Sequence, residues 1–277
     1  MKRLVACALV LGPLLFCAPL RAEPEDAADL AHQLVERSGL AVQLRGIAPQ
    51  VEAQVLLQRG SIEASVLASV SSAAREAFRP ETLQQEIERT LAAGLGAADT
   101  RKTLAWLDSA PGKRVTRAEE QSALPDEASM NRFVAAMKAK PPSARRIKLI
   151  NDTIAASGSY ELYAKTMEEM AFGVMVGMDS AQPVEKRRGG KRLRSDLRKA
   201  MPPETTKQKL QEALPGLFAY TYRDISDDAL QGYVTFLRSP AGRRYSRASY
   251  DAYARAMVAA SLRMGQLVDT SYSKRPA

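Results

Sequence analysis

A segment of 15 residues occurs twice in this chain. Thr103-Leu104-Ala105-Trp106-Leu107-Asp108-Ser109-Ala110-Pro111-Gly112-Lys113-Arg114-Val115-Thr116-Arg117 aligns with Tyr233-Val234-Thr235-Phe236-Leu237-Arg238-Ser239-Pro240-Ala241-Gly242-Arg243-Arg244-Tyr245-Ser246-Arg247 at an offset of 130. Two further landmarks recur in the same order. Ser38-Gly39 matches Ser157-Gly158 at an offset of 119, and Pro80-Glu81-Thr82 matches Pro203-Glu204-Thr205 at 123. The offsets grow by four and then seven residues. Insertions of that size are close to one and two turns at about 3.6 residues per turn, so they nearly preserve the faces of a helix. The chain therefore reads as two diverged tandem copies of a helix-bundle unit, joined near Lys138-Ala139-Lys140-Pro141-Pro142-Ser143.

The repeated unit is expected to be all-α. Alanine, leucine, arginine, glutamate and glutamine dominate, and only 6% of residues are aromatic, so alternating strand patterns are hard to find. Leu40, Leu44, Ile47, Val51 and Val55 recur at helical spacing, as do Leu162, Met167, Met170, Val174 and Met178. Pro49 is expected to break or kink the first of these helices. Ser226 before Asp227-Asp228 and Ser239 before Pro240 read as capped helix starts. Within the repeated segment, an aromatic and a leucine end one helix, serine caps the next, and a glycine in its first turn lets two helices approach closely.

Residues 1–22 read as a cleavable secretory signal. Lys2 and Arg3 precede an uncharged apolar run from Leu4 to Leu20, and Ala22 is a small residue before Glu23. Cys7 lies at the start of the apolar run instead of after it, and bulky Phe16 precedes Cys17, an order that does not suit lipoprotein processing. No later stretch reaches the roughly 20 apolar residues of a membrane span, so no stable membrane anchor is expected. The mature chain is then periplasmic, with 23–140 as the first helical repeat and 141–277 as the second. Cleavage removes three cations and no acid, lowering the formal charge from +9 to +6, and it removes both cysteines. A chain without cysteine in an oxidising compartment must rely on an ordinary apolar core.

Asp224-Ile225-Ser226-Asp227-Asp228-Ala229-Leu230, followed by Phe236-Leu237-Arg238-Ser239-Pro240-Ala241-Gly242-Arg243-Arg244-Tyr245, resembles the characteristic block of exported bacterial proteins grouped as domain of unknown function 2059. The first copy departs from it, lacking the Ser-Asp-Asp lead-in and placing alanine before proline. The resemblance implies an all-α periplasmic protein of the bacterial envelope and brings no catalytic residues with it.

The residue inventory disfavours catalysis. His32 is the sole histidine and reads as a partly exposed helix residue. A zinc site lacks its usual ligands, and nothing points to another cofactor. Ser271 and Lys274 have the spacing of a serine–lysine nucleophile, but they lie in a polar C-terminal tail. The acidic pairs Glu168/Glu169 and Asp227/Asp228 point in different directions around their helices and read as solvated faces or caps. Met167/Met170 and Met175/Met178 could ligate cuprous ion, yet methionine at helical spacing reads as core filling.

Three features remain as binding candidates. Lys186, Arg187, Arg188, Lys191 and Arg192, around Gly189-Gly190, form a flexible basic loop with no counterpart in the first half, suited to an anionic envelope component. Tyr220, Tyr222 and Tyr250 belong to a run of tyrosines confined to the second half and are expected at a surface, whereas Tyr245 and Tyr253 extend an apolar stripe. Arg243 and Arg244 follow the glycine of the second repeat, where they could cover an apolar contact or hold an anion. The sequence thus leads to a non-catalytic protein that binds an envelope component or another protein, not nucleic acid. An envelope hydrolase drawing carboxylates from separate helices is the alternative.

Overall fold

The structure is a computed structural model that describes residues 24–56, 64–123 and 127–273. The signal segment, its cysteines and Lys274 lie outside the described residues. The fold is all-α: thirteen α-helices, one 3-10 turn and no strand among the described residues. In chain order they are α1 (Pro24–Arg37), α2 (Leu40–Leu56), α3 (Ala64–Ala77), α4 (Pro80–Gly94), α5 (Ala97–Leu107), α6 (Ala110–Gln121), α7 (Glu127–Ala139), α8 (Ala144–Ser157), α9 (Ser159–Ala181), α10 (Gly190–Ala200), α11 (Pro203–Thr221), α12 (Asp227–Arg238) and α13 (Pro240–Ser273). No helix among the described residues is long and apolar enough to cross a membrane.

The paired sequence landmarks occupy like junctions. Gly39 and Gly158 have φ of 72° and 71°, the left-handed region that a side chain disfavours, and each turns one helix sharply into the next. Pro80 and Pro203 each open a helix, where the missing N–H removes nothing from the ladder. Ser109 Oγ accepts the N–H of Gly112 at 3.1 Å, and Ser239 Oγ accepts that of Gly242 at 3.0 Å. A Cβ on Gly112 would strike the carbonyl of Trp106, and one on Gly242 that of Phe236, so both helix pairs close by backbone contact.

Helix α2 continues through Pro49, correcting the expected break. The buried Leu44, Ile47 and Ala48 hold the preceding turn on the core, and their packing offsets the hydrogen bond that proline cannot donate.

The sixth helix of each half contributes to the core of the other. One core cluster joins residues of α1 to α5, among them Leu34, Leu83 and Ile87, to Ala252, Ala256, Met257 and Ala260 of α13. The other joins Val115 and Ala118 of α6 to Leu149, Ile154, Leu214 and Leu230 of the second half. The boundary at 140/141 falls in the connection between α7 and α8, but the cores do not follow it. Trp106 packs against both clusters.

Helices α9 and α13 run parallel in close contact. Gly158 faces Tyr250, Gly173 faces Ser261, and Gly177 meets Gly265 backbone to backbone. The expected apolar stripe of α9 is only partly inside: Met170 and Val174 pack on the first core, whereas Met167 and Met178 are each 45% exposed. The reading of those two methionines as core filling is thereby corrected. Glycines bring the face carrying residues 173 and 177 against α13, which turns residues 167 and 178 outward.

Candidate functional site

An open groove of about 610 Å³ lies between the α8–α9 junction and the first half of α13. That volume is within the roughly 300–1,000 Å³ usual for small-molecule sites. Gly158 makes it possible: the left-handed turn reverses the chain so that the end of α8 and the start of α9 both face α13. Ala155, Ala156, Leu162, Ala254 and the ring of Tyr250 supply apolar surface.

Hydroxyls line the interior. Ser157 Oγ donates to the Ile154 carbonyl at 3.1 Å and lies 2.6 Å from Ser159 Oγ, which is 3.5 Å from the Tyr250 hydroxyl. Burial raises the pKa of Tyr250, so the phenol stays protonated. Thr166, 6% exposed, also lines the groove, with its hydroxyl buried and without a hydrogen-bond partner among the described residues.

The rim is charged. Arg244 reaches across to Asp99 of α5 with bonds of 2.5 and 2.7 Å, and that guanidinium holds the Asp99 carboxyl below its usual range. Arg243 donates to the Arg238 carbonyl that closes α12. Arg247 and Lys165 are exposed and have no carboxylate partner among the described residues. Glu161 and Asp251, from α9 and α13, complete the rim.

The candidate binding residues separate into three places. Tyr250, Arg243 and Arg244 meet at the groove. Tyr220 and Tyr222 do not form a surface with Tyr250; they are 7% and 4% exposed, which corrects the expectation. Tyr220 packs edge-on against Phe133 of α7, with Arg223 over its ring. Tyr222 turns inward because its hydroxyl has a partner there.

That partner is Glu119 of α6. Its Oε1 accepts hydrogen bonds from Tyr222 at 2.7 Å and Tyr233 at 3.1 Å. Burial raises its pKa to about 7, against the opposing pull of the two phenols. The Tyr233 ring stacks 5.1 Å from Trp106, whose other neighbour is Phe236 at 4.3 Å. Sequence reasoning missed this cluster because its members lie over 100 residues apart. An acid in an otherwise buried repeat of α6 was the available signal.

The basic residues are elsewhere. Lys186 closes a 3-10 turn, Val184–Lys186, while Lys191 and Arg192 lie in the first turn of α10. The expected flexible loop is instead ordered by Asp179, whose carboxylate accepts the N–H groups of Arg188 at 2.7 Å and Gly189 at 3.1 Å. Arg187 donates to the Gln182 carbonyl, and Arg188 pairs with Asp196. Asp179 follows Lys165 by 14 residues on one helix. At about 1.5 Å per residue that is about 20 Å, so the basic segment and the groove are separate.

The acidic pairs also have partners. Glu169 holds Arg194 through two bonds of 2.7 and 3.2 Å, with Glu168 3.5 Å away, so this pair converges on one cation instead of solvent. In the family-like block, Ser226 Oγ caps α12 by accepting the Ala229 N–H, Asp227 meets Arg146 at 3.1 Å and Asp228 meets Arg145 at 2.6 Å. His32 is 55% exposed and bonds Glu88 at 2.8 Å. No group of three histidine, cysteine or acidic side chains among the described residues could hold a metal. Compared with protein families, curated proteins and solved structures, the chain gives no match.

Proposed function

We propose that this chain is a non-catalytic binding protein of the bacterial envelope, exported through its signal segment, whose second half presents the ligand site at the α8–α9/α13 groove. The observation that carries this reading is the groove itself: apolar surface beside Lys165 and Arg247, two cations without a carboxylate partner among the described residues, in one concave place. The resemblance of residues 224–245 to exported proteins of domain of unknown function 2059 supports the location, and the like junctions of the two halves support an origin by duplication.

One observation favours the hydrolase reading: Glu161 and Asp251 reach the same groove from separate helices. Both are exposed at the rim, and neither has a hydrogen-bond partner among the described residues that would fix its carboxyl against a substrate. Glu119, the acid raised to about 7, is not among the residues lining the groove. Binding is therefore the better reading.

Native mass spectrometry of protein isolated from an envelope fraction tests it. Wild type should carry a small-molecule adduct that Ala155→Trp lacks, since exposed Ala155 lines the groove and an indole there fills it. Wild type without an adduct, or the same adduct on both proteins, counts against the groove.

A further inference from the structure

We infer that the groove takes a single-chain anionic amphiphile, its phosphate or carboxylate head held at Arg243 and Arg247 and its chain laid over Tyr250, Leu162 and Ala254. The inference rests on the binding reading above and gives the ligand its chemistry. Arg243 and Arg247 stand four residues apart on α13, so both guanidinium groups rise from one face of the helix. Arg243 uses one N–H on the Arg238 carbonyl and Arg247 has no partner among the described residues, which leaves planar donors for an oxyanion. Arg244 is not available in the same way, because Asp99 takes it bidentately.

Beyond this cationic end the wall changes character. Tyr250 offers its ring and Leu162 and Ala254 offer alkyl surface, with Lys165 as a further positive charge on the facing helix. A wholly polar ion would leave that surface wet, and a neutral hydrocarbon would leave the arginines without a counter-charge. An amphiphile with an acidic head satisfies both.

The test uses four probes below their micelle concentrations: monolauroyl lysophosphatidate, lauroyl lysophosphatidylcholine, monolauroyl glycerol and inorganic phosphate. Titration calorimetry gives affinity and amide chemical shifts give location. The lysophosphatidate should bind one to one, at least about tenfold tighter than the zwitterionic and neutral chains and about a hundredfold tighter than phosphate, shifting Gly158 and Tyr250 amides. Arg243→Gln/Arg247→Gln should lose about tenfold or more, while Lys207→Gln/Lys209→Gln, removing the same charge from exposed α11 positions, should not. Equal affinity for all three chains at those amides overturns the anionic head and leaves groove binding standing. Shifts confined to other surfaces, or no binding by any probe, overturn both.

Discussion

Trp106 lies face to face with Phe236, ring centroids 4.3 Å apart and planes 9° from parallel, and the two residues hold the same place in the repeated segment. The stacked pair sits where the two clusters meet, since Trp106 packs against both. Around it α6 contributes to the core of the second half, and α13, while staying packed along α9, contributes to the core of the first.

Trp106→Ala should cost about 3–5 kcal/mol, because it opens a cavity between two clusters. In a double-mutant cycle with Phe236→Ala, the coupling should be about 0.5–1.5 kcal/mol beyond area burial. Urea denaturation of the four proteins measures it, and additive losses would mean that the stacked pair has no energy of its own.

Even alanine should be harmful at the two junction glycines. A Cβ on Gly112 or Gly242 meets main-chain atoms, which cannot swing away, so each substitution should cost about 1–3 kcal/mol. Gly94, with no atom near its Cβ position, is the control and should be neutral or gain by helix propensity. Equal melting temperatures for Gly112→Ala and Gly94→Ala would contradict the close approach.

Stability should decline as pH rises from about 4.5 to about 7. Unfolded Glu119 titrates near 4.5 and folded Glu119 near 7, so between those values the unfolded chain binds fewer protons and deprotonation favours unfolding. The contribution is at most about 3 kcal/mol, present below pH 4.5 and lost by about 7. Glu119→Gln, which keeps an oxygen for both phenols, should flatten this part of the profile. Urea midpoints at pH 5 and pH 7.5 decide it; an unchanged slope in the variant would assign the dependence to other groups.

Arg146 and Arg145 are adjacent and should behave differently. Arg146 is 15% exposed and donates to the carbonyls of Tyr222 and Ile225 as well as to Asp227, so Arg146→Ala should cost about 3–5 kcal/mol. Arg145 is 63% exposed, and its loss should cost under about 1 kcal/mol. Similar denaturation midpoints for the two variants would refute the clamp.

Much of the local architecture was legible in the sequence. Ser109, Ser226 and Ser239 cap helices by short-range chemistry that needs no partner elsewhere, while Gly39 and Gly158 stood out as matched landmarks and only the structure shows them as left-handed turns. Tyr220 and Tyr222 show where such reading stops. Their hydrophobic bodies and polar tips suit an interface, but what covers them is remote in sequence: Phe133 for Tyr220 and Glu119, over 100 residues away, for Tyr222. The basic segment failed for a related reason. Gly189-Gly190 looks flexible alone, and Asp179, nine residues upstream of Arg188, supplies the bonds that order it. The groove drew on α8, α9 and α13 at once, so its arginines were visible and its walls were not.

The crossing of α6 and α13 between the two clusters also sets a timetable. As the chain emerges from its N-terminus, α1 to α5 appear first, but their core lacks Ala252, Ala256, Met257 and Ala260 until α13 arrives near the very end. The second cluster needs α6 from before residue 122 and α12 from after residue 226. Neither cluster is complete until one of the last two helices has arrived, α13 for the first and α12 for the second, and contacts of such long sequence separation slow folding. Final packing is thus a late event in which residues more than a hundred positions apart must meet.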